Sequence, residues 1–187
     1  MALLHYPVLD RQGHTVTSAI TNLDLHDIAR TAHAFGAASY YVVHPIGAQR
    51  ELVERVRRHW VEGSGGRRIP DRIEPLRCLQ AVASLDEALA RCDPSGPCEL
   101  WTTSASSRGR SVPFLEARAQ LMGEGPPVLM AFGTGWGLSA EVHDRADLRI
   151  APIEPKNADG FNHFSVRAAV AIVLDRLLGA RDAGGAT

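Results

Sequence analysis

Six short apolar runs rich in β-branched residues, separated by stretches of helical period, constrain this chain more than any other feature. The runs are ALLHYPV at 2–8, SYYVVHP at 39–45, LRCLQAV at 76–82, CELWTTS at 98–104, PPVLMAF at 126–132 and LRIAPI at 148–153. Each reads as a strand. Between them, apolar residues recur at three- and four-residue spacing: Leu25, Ile28, Ala29, Ala32 and Phe35; Leu52, Val53, Val56 and Trp60; Leu85, Ala88 and Leu89; Leu115, Ala119 and Met122. A last stretch keeps Val166, Ala169, Val170, Val173, Leu174 and Leu177 on one face. Strand alternating with helix requires crossover connections, so the expected fold class is α/β with a largely parallel sheet covered by helices on both faces. Asn22 or Asp24 can cap the first helix and Gly36 can end it.

The chain has 187 residues, 45% of them hydrophobic and 22% charged, which suits a single domain over 1–178 followed by a small, polar tail at 179–187. Neither a basic leader nor a long apolar span is visible, and the expectation is a soluble, cytoplasmic protein. Cys78, Cys92 and Cys98 lack CxxC spacing and suggest neither a disulfide framework nor zinc. The eight histidines show no HExxH, so no metal is expected. The stretch EGSGGRRIPDR at 62–72 reads as a flexible loop. Between Arg50 and Arg77, eight arginines face five acids although the net charge is -1. Arg55, Arg57, Arg58, Arg67 and Arg68 read either as a solvated helix face, largely neutralised by Glu51, Glu54 and Glu62 with Trp60 in the core, or as a basic patch for nucleic acid with Trp60 as a stacking face.

Three segments could carry chemistry. TNLDLHDIARTAHAFGA at 21–37 brings Asn22, Asp24, Asp27 and Arg30 to a helix start. VLMAFGTGWGLSAEV at 128–142 is a buried strand running into a loop with Gly133, Gly135 and Gly137, where glycine allows close approach of backbone to a ligand. RIAPIEPKNADGFNHFSVRAAVAIVLDRL at 149–177 passes through a polar loop to Asn162, His163, Ser165 and Arg167 at the start of the last helix. The glycine loop alone could hold a phosphate, although it lacks both GxGxxG spacing and the Lys-Ser/Thr of a P-loop.

Together, in this order, the segments resemble the three motifs of the SPOUT class of S-adenosylmethionine-dependent RNA methyltransferases over residues 2–178. The resemblance implies a C-terminal deep trefoil knot, a homodimer, and transfer of a methyl group to tRNA or rRNA without a metal. It also implies a cofactor site. Gly133, Thr134, Gly135, Gly137 and Leu138 would form one side and Ile153, Asn162, His163, Ser165 and Val166 the other, with Thr103 and Ser104 beneath.

In that family Arg30 would orient RNA or help deprotonate a ribose hydroxyl, and Asn22 would position the substrate. For a ring nitrogen, Asp24 or Asp27 could take the proton instead. His163 stands where many ribose methylators of the class have asparagine, which leaves ribose oxygen and base nitrogen both open as acceptors. Two other readings compatible with the residues are an RNA-binding module without catalysis and a nucleotide-binding protein using the Gly133–Gly137 loop.

Overall fold

The computed structural model describes residues 1–93, 96–106 and 109–180. The expected tail therefore falls largely outside the described residues. Six strands form one sheet in the order β5-β4-β1-β7-β6-β8: β1 (Ala2–Leu4), β4 (Tyr40–Val43), β5 (Leu79–Val82), β6 (Glu99–Thr102), β7 (Val128–Gly133) and β8 (Leu148–Arg149). Every neighbouring pair is parallel. A small antiparallel ribbon, β2 (Val8–Leu9) with β3 (Thr15–Val16), branches off after β1.

Because side chains alternate along a strand, the sheet feeds two cores. Leu3, Tyr40, Val42, Trp101, Met130 and Phe132 face α1 (Asn22–Ala34), α2 (Gly47–Val61), α4 (Ile73–Arg77), α6 (Phe114–Leu121) and α8 (Val166–Leu178). Ala2, Leu4, Tyr41, Val43, Leu100, Leu129 and Ala131 face α5 (Leu85–Cys92) and α7 (Ala140–Asp144). Helices thus cover both faces, as the sequence predicts.

Four local expectations are corrected. Thr21, not Asn22 or Asp24, is the N-cap of α1, and its hydroxyl accepts the Asp24 amide at 3.2 Å; Gly36 follows the helix with φ 73°, as expected of a terminating glycine. The stretch 62–72 is not an open loop: it folds into α3 (Ser64–Arg68) and a 3₁₀ turn at 70–72. Gly65 and Gly66 are buried, and Gly66 has no room for a side chain, since a Cβ there would lie 2.2 Å from the Trp60 carbonyl. On α6 the inner stripe is Phe114, Ala117 and Leu121, so the expected face of Leu115, Ala119 and Met122 points outward, with Leu115 82% exposed. Finally, Cys92 and Cys98 are joined as a disulfide with Cα atoms 6.2 Å apart, and Cys78 is free.

After β5 the chain crosses to the other half of the sheet. β7 inserts between β1 and β6, and β8 lies beyond β6. Such a reversal opens a crevice at the carboxyl ends of the strands.

Candidate active site

The loop after β7 is built by its glycines against the chain itself. A Cβ on Gly133 would lie 2.6 Å from the Leu138 amide nitrogen, and one on Gly135 (φ 60°) would lie 2.8 Å from the Leu9 carbonyl. Four loop amides are already committed: Thr134 donates to Leu4 O, Trp136 to Leu9 O, Gly137 to Thr134 O and Ser139 to Pro7 O. A phosphate cradle needs free amides, and Glu141 in the first turn of α7 adds negative charge there. The loop is thus a rigid wall, not a phosphate nest.

A partly buried polar chain that ends at the buried His5 braces that wall. The Thr134 hydroxyl donates to Leu4 O at 3.1 Å, so the Ser18 hydroxyl donates to Thr134 and the Nδ1–H of His5 donates to Ser18 at 3.0 Å. The remaining nitrogen of His5, Nε2, is buried without a partner, so as a bare lone pair it avoids an unpaired buried N–H. Burial, then the neighbouring His44, lowers the His5 pKa from 6.5 to about 4. His44 accepts the Ile46 amide at Nδ1 (3.1 Å) and donates from Nε2 to Ser18 O (3.1 Å), the pattern of a neutral ring. Burial lowers its pKa as well.

The opposite wall is the segment from β8 to α8. Ser165 caps α8, accepting the Ala168 amide at 3.3 Å. The Asn162 side chain donates to Ala105 O at 3.0 Å, while its Oδ1 is buried with no partner. The walls meet where the rings of Trp136 and His163 stand edge to face, centroids 4.4 Å apart.

Between them lies a cleft of about 910 Å³, within the range of small-molecule sites. All twelve residues expected at a cofactor line it: Thr103, Ser104, Gly133, Thr134, Gly135, Gly137, Leu138, Ile153, Asn162, His163, Ser165 and Val166.

Of the four residues expected at the acceptor, Asn22, Asp24, Asp27 and Arg30, Asp24 alone lines the cleft. It is 6% exposed and is held by Thr21 Oγ1 at 2.7 Å and by Arg167 at 2.8 Å. Asn22 and Arg30 are exposed on α1 and do not line this cleft, and Arg30 approaches Asp27 only at 3.9 Å.

Several lining residues escaped the sequence reading: Trp136 and Phe164 at the mouth, and His143, Asp144 and Arg149 at the far end. His143 Nδ1 lies 3.1 Å from Thr102 Oγ1, and Arg149 bonds Asp144 at 3.0 Å. Aromatic residues within a glycine motif were the available signal. In the arginine-rich region, Arg55, Arg58, Arg67 and Arg68 are exposed, while Arg57 approaches Glu54 at 3.7 Å. Trp60 is half-buried beneath His26, His59 and Arg72 rather than a free stacking face. Among the described residues no cluster suited to a metal ion occurs, and no helix is long and apolar enough to cross a membrane.

A parallel sheet reversing at a cleft walled by the glycine loop and the strand-loop-serine helix is the architecture of a SPOUT-class RNA methyltransferase. A family model for SAM-dependent RNA methyltransferases matches residues 1–179, and the chain belongs to that family, whose cofactor is S-adenosylmethionine. It is 39% identical to a tRNA (guanine-N(1)-)-methyltransferase of Oleidesulfovibrio alaskensis and 41% identical to one of Nitratidesulfovibrio vulgaris. Each match covers 95% of this chain but only 41% of the relative, so the chain spans about two fifths of those proteins. An uncharacterised protein of Aquifex aeolicus is 35% identical, with 95% of this chain and 86% of that protein covered. Among solved structures, TrmJ of Z. mobilis (TM-score 0.61, 18% identity, 100% of this chain and 71% of that chain) and a TrmH/SpoU tRNA-modifying enzyme of A. aeolicus (TM-score 0.55, 18% identity, 95% and 73%) share the fold.

Proposed function

We propose that this cleft holds S-adenosylmethionine and that the protein methylates a ring nitrogen of a tRNA nucleotide, with Asp24 accepting the proton. The observation that carries the reading is the convergence of twelve expected cofactor residues and the buried Asp24 carboxylate on one cleft. The site fits the cofactor: the orphaned Asn162 Oδ1 can accept from an adenine amine or a hydroxyl, and the 133–138 wall offers a rigid flat backbone surface.

When bound, S-adenosylmethionine supplies a sulfonium methyl group for in-line displacement. Asp24 would accept the N–H proton of the acceptor nitrogen as that nitrogen takes the methyl group the cofactor would supply. Arg167 and Thr21 keep the carboxylate aimed into the cleft. A ring nitrogen is favoured over a ribose hydroxyl because a buried carboxylate, a group that can take an N–H proton, lines the cleft. The names of the two 39–41% identical relatives also favour tRNA and a base nitrogen, although the remaining three fifths of those proteins could carry that activity.

Within the same proposal the protein is a cytoplasmic homodimer with a C-terminal trefoil knot. Exposed Leu23 on α1 and half-exposed Ala168, Ala171 and Ile172 on α8 supply an apolar face, which would bring Asn22 and Arg30 to the partner's cleft. Return of the chain from β8 at the sheet edge to the loop after β7 supports the knot.

Calorimetric titration with S-adenosylmethionine and S-adenosylhomocysteine, with ATP and NAD as controls, tests the site. Saturable binding of the adenosyl-sulfur ligands alone, one per chain, is expected. Preference for ATP or NAD contradicts the reading.

A further inference from the structure

The mouth of the cleft carries large apolar rings that the fold leaves uncovered. Trp136 is 49% exposed, Phe161 61% and Phe164 42%. Trp136 on the glycine wall and Phe164 on the opposite one both line the cleft, so the rings belong to two segments converging on one opening, with Phe161 two residues before His163. Trp136 is held in place by its neighbours. The Trp136 amide is fixed to Leu9 O at 2.9 Å, the next amide to Thr134 O at 3.0 Å, and the indole is braced edge-on by His163, itself flanked by Phe161 at 6.0 Å between centroids.

Two arginines at the cleft are engaged by carboxylates. Arg149, the arginine lining the cleft, bonds Asp144, and Arg167 bonds Asp24. A nucleic acid arriving at the mouth meets the exposed aromatic surface of Trp136 and Phe164. Stacking on such a surface accepts any nucleobase, but only one whose own face is uncovered; a base inside a duplex has both faces occupied.

We infer that Trp136, braced by His163 and accompanied by Phe164, is a stacking platform for the acceptor nucleobase, and that the enzyme acts on an unpaired or flipped-out nucleotide. This rests on the methyltransferase reading but goes beyond it, since it specifies the state of the RNA and assigns a residue to substrate binding.

The test uses the full chain, Trp136→Ala and Trp136→Phe, with unmodified tRNA transcripts as substrate. Trp136→Ala is expected to lower kcat/KM about ten-fold or more while cofactor affinity by calorimetry stays within about three-fold, and Trp136→Phe is expected to restore most of the loss. Binding is read separately from catalysis: a mixed-sequence single-stranded RNA should quench tryptophan emission of the wild type, Trp136→Phe should lose that quenching, and the same RNA in a duplex should quench neither.

Unchanged kcat/KM in Trp136→Ala overturns the platform. So does a parallel fall in cofactor affinity, which would assign the indole to the adenine, or a change in oligomeric mass by light scattering, which would make it a subunit contact. If the wild type transfers no methyl group, the methyltransferase reading fails on its own, and quenching by single-stranded but not duplex RNA still decides the platform.

Discussion

Asp24 is held from two sides, by the Thr21 hydroxyl and the Arg167 guanidinium, in a position 6% exposed to solvent. A group acting only in the transfer step should leave ground-state binding alone. Asp24→Asn keeps the shape and one acceptor oxygen, so cofactor affinity should stay within about three-fold while turnover falls by about 10²-fold or more; equal turnover would remove Asp24 from the chemistry. His5 gives a prediction about stability instead. Its folded pKa of about 4 lies below the unfolded value of 6.5, so the unfolded chain binds the proton first as pH falls. Stability associated with a neutral His5 is therefore complete above about pH 6.5 and declines toward pH 4, by about 3 kcal/mol at most. Denaturant titrations across this range should show a flatter pH dependence for His5→Gln than for the wild type. An identical slope would show that the ring is not held neutral.

The glycine loop and α3 share a construction: glycines admit the chain's own backbone. Gly135→Val places a branched side chain at φ 60° against Leu9 O, so the wall should deform and calorimetric binding of S-adenosylmethionine should be lost. Undiminished affinity would show that the wall does not shape the site. Gly66→Ala, far from the cleft, should cost about 1–3 kcal/mol in denaturant stability, because the added methyl group meets the Trp60 carbonyl. Here lies the limit of what the sequence discloses. Periodicity locates the strands and the wide apolar stripe of α8, since burial on both sheet faces demands β-branched runs. It misplaces the face of α6, because Leu115 and Met122 are apolar yet outward, and only the packing of Phe114, Ala117 and Leu121 reveals the stripe. Glycine and proline at 62–72 read as punctuation, yet Gly65 and Gly66 serve helix packing, a tertiary demand that local composition does not carry.

At the scale of the molecule, the twelve cleft residues were legible because a resemblance of motifs preserves order along the chain, and the fold then converts order into proximity. The mouth was not legible, since an exposed Trp136 and a buried Trp101 look alike in sequence. The position of Arg30 outside its own cleft was equally hidden. If the protein is a dimer with shared sites, mixing Arg30→Ala with Gly135→Val chains should rebuild about one quarter of the sites by random pairing. Activity in the mixture, absent from either variant alone, would support shared sites, and its absence would assign each cleft to a single chain. The exposed Arg55, Arg58, Arg67 and Arg68 form a candidate track for the RNA backbone. Replacing two of them should reduce the slope of log affinity against log salt by roughly 1.5–2, and an unchanged slope would exclude them.

The most direct test of the central claim is transfer of a labelled methyl group from S-adenosylmethionine to unmodified tRNA transcripts, followed by nucleoside mass spectrometry to locate the label. The account predicts a base-methylated nucleoside formed by the wild type and lost in Asp24→Asn. Label on the ribose, or full incorporation by Asp24→Asn, would contradict it.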